Sequence, residues 1–142
     1  MTPFPSFHTK NLAEAVEALS PDELDLLPFG VTGLDPLNVV RLRNRCEQDL
    51  SGFDDSAALG RLFFVDVAPC LNTSAFKGRI DRARREGKLD IHFSFVGDFP
   101  DGLRELNVRV QSAGDGGCWI FMERRQDGDA GNGRKLEASE GS

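Results

Sequence analysis

Few residues in this 142-residue chain have the type and spacing to do chemistry. Its three cysteines, Cys46, Cys70 and Cys118, are widely spaced and odd in number, which fits neither a disulfide framework nor a zinc site. The two histidines, His8 and His92, stand far apart and no CxxC pair is present, so no metal is expected. Cys70 is the thiol that the sequence sets apart. It ends the run "GRLFFVDVAPC", behind two phenylalanines and directly after Pro69. Three roles are open to it: a buried packing residue, a nucleophile, or an attachment point. A catalytic thiol wants a nearby histidine, and His92 is the one plausible partner. In "DIHFSFV", however, His92 alternates to the solvent side, opposite Ile91 and Phe93. Glu47 stands four residues after Arg43, where a helical turn brings a carboxylate and a guanidinium within reach of each other. Cys46 and Cys118 read as packing residues, and so do Phe93, Phe95 and Trp119. The "GDGG" run from Gly114 to Gly117 is a hairpin turn; a phosphate loop would need a lysine and a following helix.

Elements must hold these residues in place, and the pattern supplies them. The length suits one domain with a real core. "NLAEAVEAL" puts Leu12, Val16 and Leu19 at helical spacing. "SPDELDLL" opens a second short helix, with Ser20 as cap, Pro21 at the first position and Glu23 completing a capping box. Both helices are apolar on one side and must pack on something. "LPFGVTGLDPLNVVRLR" reads as strand, turn, strand, with Asp35 and Pro36 in the turn. "NRCEQDLSG" gives a helical turn or two before Gly52. "SAFKGRIDRARREGKL" is an amphipathic helix with Phe76, Ile80 and Ala83 on its apolar face, stopped by Gly87. The last third is sheet. Ile91, Phe93 and Phe95 alternate, then Leu106, Val108 and Val110, and "CWIFMERR" is apolar enough to be covered on both faces. From Gln126 onward the chain is rich in Gly, Ser and charge, and disorder is expected there.

The expected fold class is α+β: a five-stranded antiparallel sheet flanked by helices, in the element order of a PAS domain. Residues 1–27 would form an N-terminal helical cap, 28–125 the PAS core and 126–142 the tail. The formal charge of −6 argues against a nucleic-acid partner, and no apolar run approaches a membrane span, so a cytoplasmic protein is expected.

At this point the sequence resembles a family, that of photoactive yellow protein, from about Leu24 to Arg124. The similarity is carried by "LPFGVTGLD", "GRLFFVDVAPC", "FKGRI", "GKLDIHFSF" and "WIFMERR". The resemblance implies a blue-light photoreceptor that is not an enzyme, with p-coumaric acid joined to Cys70 through a thioester. It implies that Glu47 donates to the chromophore's phenolate oxygen and that Ser51 is a supporting hydroxyl. The N-terminal cap would rearrange after isomerisation and proton transfer. Output would pass to a separate downstream signalling protein, and the chain would be a monomer or weak dimer.

Two positions depart from the family pattern. Arg43 stands where the family has a tyrosine against the phenolate, and the chain has no tyrosine at all. Phe53, a lid over the pocket, stands where the family has an arginine. A buried arginine demands an anion beside it. That anion is either the phenolate, whose absorption would then move to the blue, or Glu47. In the second case the chromophore is absent and the chain is a PAS ligand-binding or protein-interaction module. A redox sensor using Cys70 is a further option.

Overall fold

The computed structural model describes residues 4–51, 58–87, 89–99 and 102–124; the tail from Gln126 lies outside them. Two short helices open the chain, α1 (Leu12–Glu17) and α2 (Pro21–Leu24). The capping box at α2 is present in full: Glu23 N–H donates to Ser20 Oγ, and Ser20 N–H donates to Glu23 Oε1. Strands β1 (Gly30–Leu34) and β2 (Val40–Arg43) follow, joined by a turn in which Asp35 Oδ1 accepts from the amides of Leu37 and Val39. Next come α3 (Arg45–Ser51), a π-helical turn at Phe63–Val67, a 3-10 turn at Pro69–Leu71, and α4 (Lys77–Arg85). Strands β3 (Asp90–Phe99), β4 (Gly102–Ser112) and β5 (Cys118–Arg124) complete the chain.

The five strands form one antiparallel sheet in the order β2-β1-β5-β4-β3. This is the α+β architecture expected. Side chains on alternate positions separate its two faces. On one, Leu34, Val40, Leu106, Val108, Val110, Cys118, Ile120 and Met122 pack beneath Phe63, Phe64, Leu71, Phe76, Ile80 and Ala83. Phe76 is the hub of this α4 face, with edge-on contacts to Phe64, Phe93 and Phe95. Gly87, at φ 87°, takes the left-handed conformation that stops α4.

The opposite, cap face carries the N-terminal helices. Leu12, Val16, Leu24 and Leu27 lie with Phe7 over Phe29, Val31 and Phe121. Leu19, expected on the buried stripe of α1, is only partly covered because the helix ends at Glu17. β5 therefore has apolar residues covered on both sides, as its sequence anticipates. Polar bonds fasten the cap. Arg109 donates to the carbonyl oxygens of Phe7 and Thr9 at 2.7 and 2.8 Å, and Gln111 Oε1 accepts from Ala13 N–H at 2.7 Å. Glu17 accepts from Trp119 Nε1 at 2.7 Å and from Gly114 N–H at 3.0 Å.

No helix among the described residues is long and apolar enough to cross a membrane.

Candidate functional site

The direction of Arg43 is decided by an irregularity in β2. Gly33 pairs with Leu42, but Leu34 pairs with Val40, so one extra residue is inserted in β2. Val40 belongs to the α4 face and Leu42 packs toward the cap. Regular alternation would have sent both to one side. The bulge resets the phase, so Arg43 shares a face with its cross-strand partner Thr32. Thr32 in turn pairs with Ile120 of the α4-face core. A guanidinium is thereby aimed into the interior, where Arg43 is 4 % exposed.

Glu47 is brought to the same place by α3. Asn44, itself buried, starts that helix: its Oδ1 accepts from Glu47 N–H at 3.0 Å and from Val31 N–H at 2.9 Å. Its Nδ2 donates to the carbonyls of Leu24 and Phe29 at 2.8 and 3.0 Å. One side chain thus caps α3, fixes it on β1 and ties it to α2. Asn44 carries a faint signal in the sequence, since an Asn three residues before Glu47 is a capping pattern.

Glu47 is 5 % exposed, so it is not a surface carboxylate. Its Oε2 lies 3.8 Å from Arg43 Nη2, which also donates to the Glu47 carbonyl at 3.4 Å. At 3.8 Å the two charges attract without a direct hydrogen bond. Burial pushes the Glu47 carboxyl up to about 7, against the downward pull of the Arg43 guanidinium. Desolvation outweighs the ion pair, and both protonation states are populated near neutral pH. Two buried oxygens close to this pair have no hydrogen-bond partner among the described residues, Glu47 Oε1 and Thr32 Oγ1.

Cys70 sits on the 3-10 turn and is exposed, which removes the buried-packing role. The residues around it anchor the turn on the α4 face: Leu71 is in the core, with Val67 and Ala68 packed against it. Val65, by contrast, is exposed, so "FFVDVAPC" is buried only at Phe63, Phe64 and the partly covered positions after Asp66. Arg43, Glu47 and Cys70 therefore belong to elements on one side of the sheet. His92 is on the other. Its ring is exposed and meets Phe7 of the cap edge-on at 6.0 Å, so the sheet separates it from the Cys70 turn. Cys118 is buried, and desolvation pushes its thiol up to about 11. Cys46 is half-buried with its thiol also raised by burial. The Ser51 side chain and Phe53 lie outside the described residues. No group of three or more metal-binding side chains occurs among the described residues.

The arrangement can hold one ligand oxygen. A protonated Glu47 can donate from a carboxyl whose Oε1 is unpartnered among the described residues, and Arg43 can offset negative charge beside it. An exposed thiol on the same side is open to acylation.

Comparison with known proteins agrees with the fold. No family model matches the chain. The photoactive yellow protein of Halochromatium salexigens is 30 % identical over 119 residues, which is 83 % of this chain and 95 % of that protein. That of Rhodothalassium salexigens is 29 % identical over the same shares. Among solved structures, the photoactive yellow protein domain of the sensor histidine kinase Ppr from Rhodospirillum centenum superposes with a TM-score of 0.73 at 37 % identity. That match covers 78 % of this chain and 98 % of that domain. A PAS domain from Haloarcula marismortui, at 14 % identity and TM-score 0.56 over 79 % of this chain and 99 % of that one, shares the fold alone. With its sheet, its helical cap and these relatives taken together, the chain belongs to the photoactive yellow protein family.

Proposed function

We propose that this chain is a blue-light photoreceptor carrying p-coumaric acid as a thioester on Cys70. The observation that carries the reading is the buried Glu47 carboxyl, raised toward neutrality and unpartnered at Oε1 among the described residues, on the sheet face that also bears the exposed Cys70 thiol. Loading is a thiol exchange. Cys70 Sγ attacks the acyl carbon of an activated donor, the new S–C bond replaces the donor's own, and the donor leaves as a thiol that takes the Cys70 proton. Once bound, p-coumaric acid supplies a light-driven isomerisation about its conjugated double bond.

The remaining roles belong to the protein. Glu47 holds a proton against the phenolic oxygen, and Arg43 stands beside both. If Glu47 gives up that proton, its carboxylate is left buried but not isolated, because Nη2 of Arg43 lies 3.8 Å away. The pair softens the penalty that would otherwise drive a large rearrangement. Ser51 supports the site and Phe53 covers it in this reading. Residues 1–27 act as the responding cap, 28–125 as the sensor core and 126–142 as a tail. The photoactive yellow protein domain of a sensor histidine kinase is a relative, which supports a signalling partner for this non-enzymatic, cytoplasmic chain, itself a monomer or weak dimer.

A second reading has its own support. The Arg43–Glu47 pair already neutralises itself, as a PAS interaction or ligand-binding module without chromophore would require. Intact mass and visible absorption after adding activated p-coumaric acid to the purified protein separate the two. The photoreceptor reading expects one adduct, lost in Cys70→Ala, with a blue-light bleach that recovers in the dark. No adduct, or one that survives Cys70→Ala, selects the second.

A further inference from the structure

Thr32 is a strand residue with 0 % exposure whose hydroxyl has no hydrogen-bond partner among the described residues. That is a costly thing to bury. An unmade hydrogen bond on a desolvated hydroxyl lowers stability, and a valine has the same shape and equal liking for a strand. The position is not remote. Thr32 stands directly opposite Arg43 across β1 and β2, on the same face, and Glu47 Oε2 lies 3.8 Å from that arginine. A second oxygen without a partner among the described residues, Glu47 Oε1, belongs to the same arginine's ion pair. Thr32 and Glu47 thus each present a buried oxygen beside one guanidinium, a set of donors that can converge on a single ligand oxygen.

We propose that the Thr32 hydroxyl is a third donor, beside Arg43 and Glu47, to the anionic oxygen of a bound aromatic acid, and that it sharpens selection for ligands ending in a phenolate. This rests on the site described above and adds a residue from β1 that the family resemblance does not supply. A hydroxyl rotates freely about its C–O bond, so it follows the oxygen of a ligand without moving the backbone. Added to a guanidinium and a carboxylic acid, it holds negative charge on that oxygen and resists delocalisation along the ring.

The test compares the parent with Thr32→Val, which keeps the shape, and Thr32→Ser, which keeps the hydroxyl. In protein loaded with activated p-coumaric acid, Thr32→Val should absorb to the red of the parent, with Thr32→Ser close to the parent. In unloaded protein, 4-nitrophenolate serves as a soluble probe. Its affinity should fall about fivefold in Thr32→Val, the worth of one hydrogen bond, and return in Thr32→Ser. A Thr32→Val variant with unchanged spectrum and unchanged probe affinity overturns the inference. Absence of any adduct in the parent overturns the tether on Cys70, and the 4-nitrophenolate comparison then decides Thr32 alone. A parent that takes neither adduct nor probe overturns the set of donors itself.

Discussion

The two faces of the sheet treat their polar groups in opposite ways. On the cap face, Arg109, Gln111 and Trp119 reach toward the N-terminal segment, and each finds its partner at 2.7 or 2.8 Å. On the α4 face near β1 and β2, Thr32 Oγ1 and Glu47 Oε1 are left without one among the described residues. Satisfied groups hold structure together. Unsatisfied ones lower stability, and they persist where something other than the fold uses them. The contrast separates a clamp from a site without reference to any ligand.

The largest effect should come from breaking the site at its cation. Arg43→Ala removes the guanidinium that lies against Glu47, and should cost about 3–5 kcal/mol at about pH 9, where the carboxyl is ionised. The cost should shrink toward about pH 5, where Glu47 takes up a proton instead. Urea unfolding at the two pH values measures it, and equal costs would remove the coupling.

The parent has a related slope. Glu47 keeps its proton to about 7 in the folded state against 4.5 otherwise, so the folded chain binds more protons within that window. Stability contributed by Glu47 is therefore full below 4.5 and declines as pH rises through about 7. Glu47→Gln should flatten this slope.

Next in size is the clamp. Arg109→Met gives up two charge-assisted bonds to backbone carbonyls and should cost about 2–3 kcal/mol. Amide exchange should accelerate at Ala15 and Leu19 in the cap while Gln48 in α3 stays protected. Uniform acceleration would mean that the cap and site are one cooperative unit.

A sign change sharpens the comparison further. Thr32→Val should stabilise the ligand-free protein by about 1 kcal/mol, since it removes an orphaned hydroxyl and keeps the shape. Trp119→Phe, which removes a satisfied bond to Glu17 at an accessible position, should destabilise by about 0.5–1 kcal/mol. Melting curves of the two variants read both. If both lose stability, the Thr32 hydroxyl has a partner and the contrast fails.

Much of the fold is legible along the chain. The Ser20 capping box, the Phe76, Ile80 and Ala83 stripe, and the alternation through Leu106, Val108 and Val110 all depend on neighbours within a few residues. The π-helical turn at Phe63–Val67 gives no such signal, because one wide turn of five residues, with Val65 and Asp66 exposed, leaves no repeat to read. At the site, Cys70 and Glu47 stand out by residue type. Asn44 and Thr32 do not, since a capping Asn and a strand Thr are ordinary in sequence and unusual only in what surrounds them.

By itself the sequence determined the longer helices and the strands, their order and the thiol at the end of "FFVDVAPC", because period, caps and turns are local physics. Tertiary structure decided where Arg43 points. One residue inserted between Val40 and Leu42 exchanges the faces of everything after it, and that insertion is fixed by pairing with β1, which no local pattern encodes. The same pairing sets Thr32 opposite the guanidinium. Whether a polar side chain is satisfied or orphaned is likewise a property of its neighbours in space, and it is the orphans that mark the site.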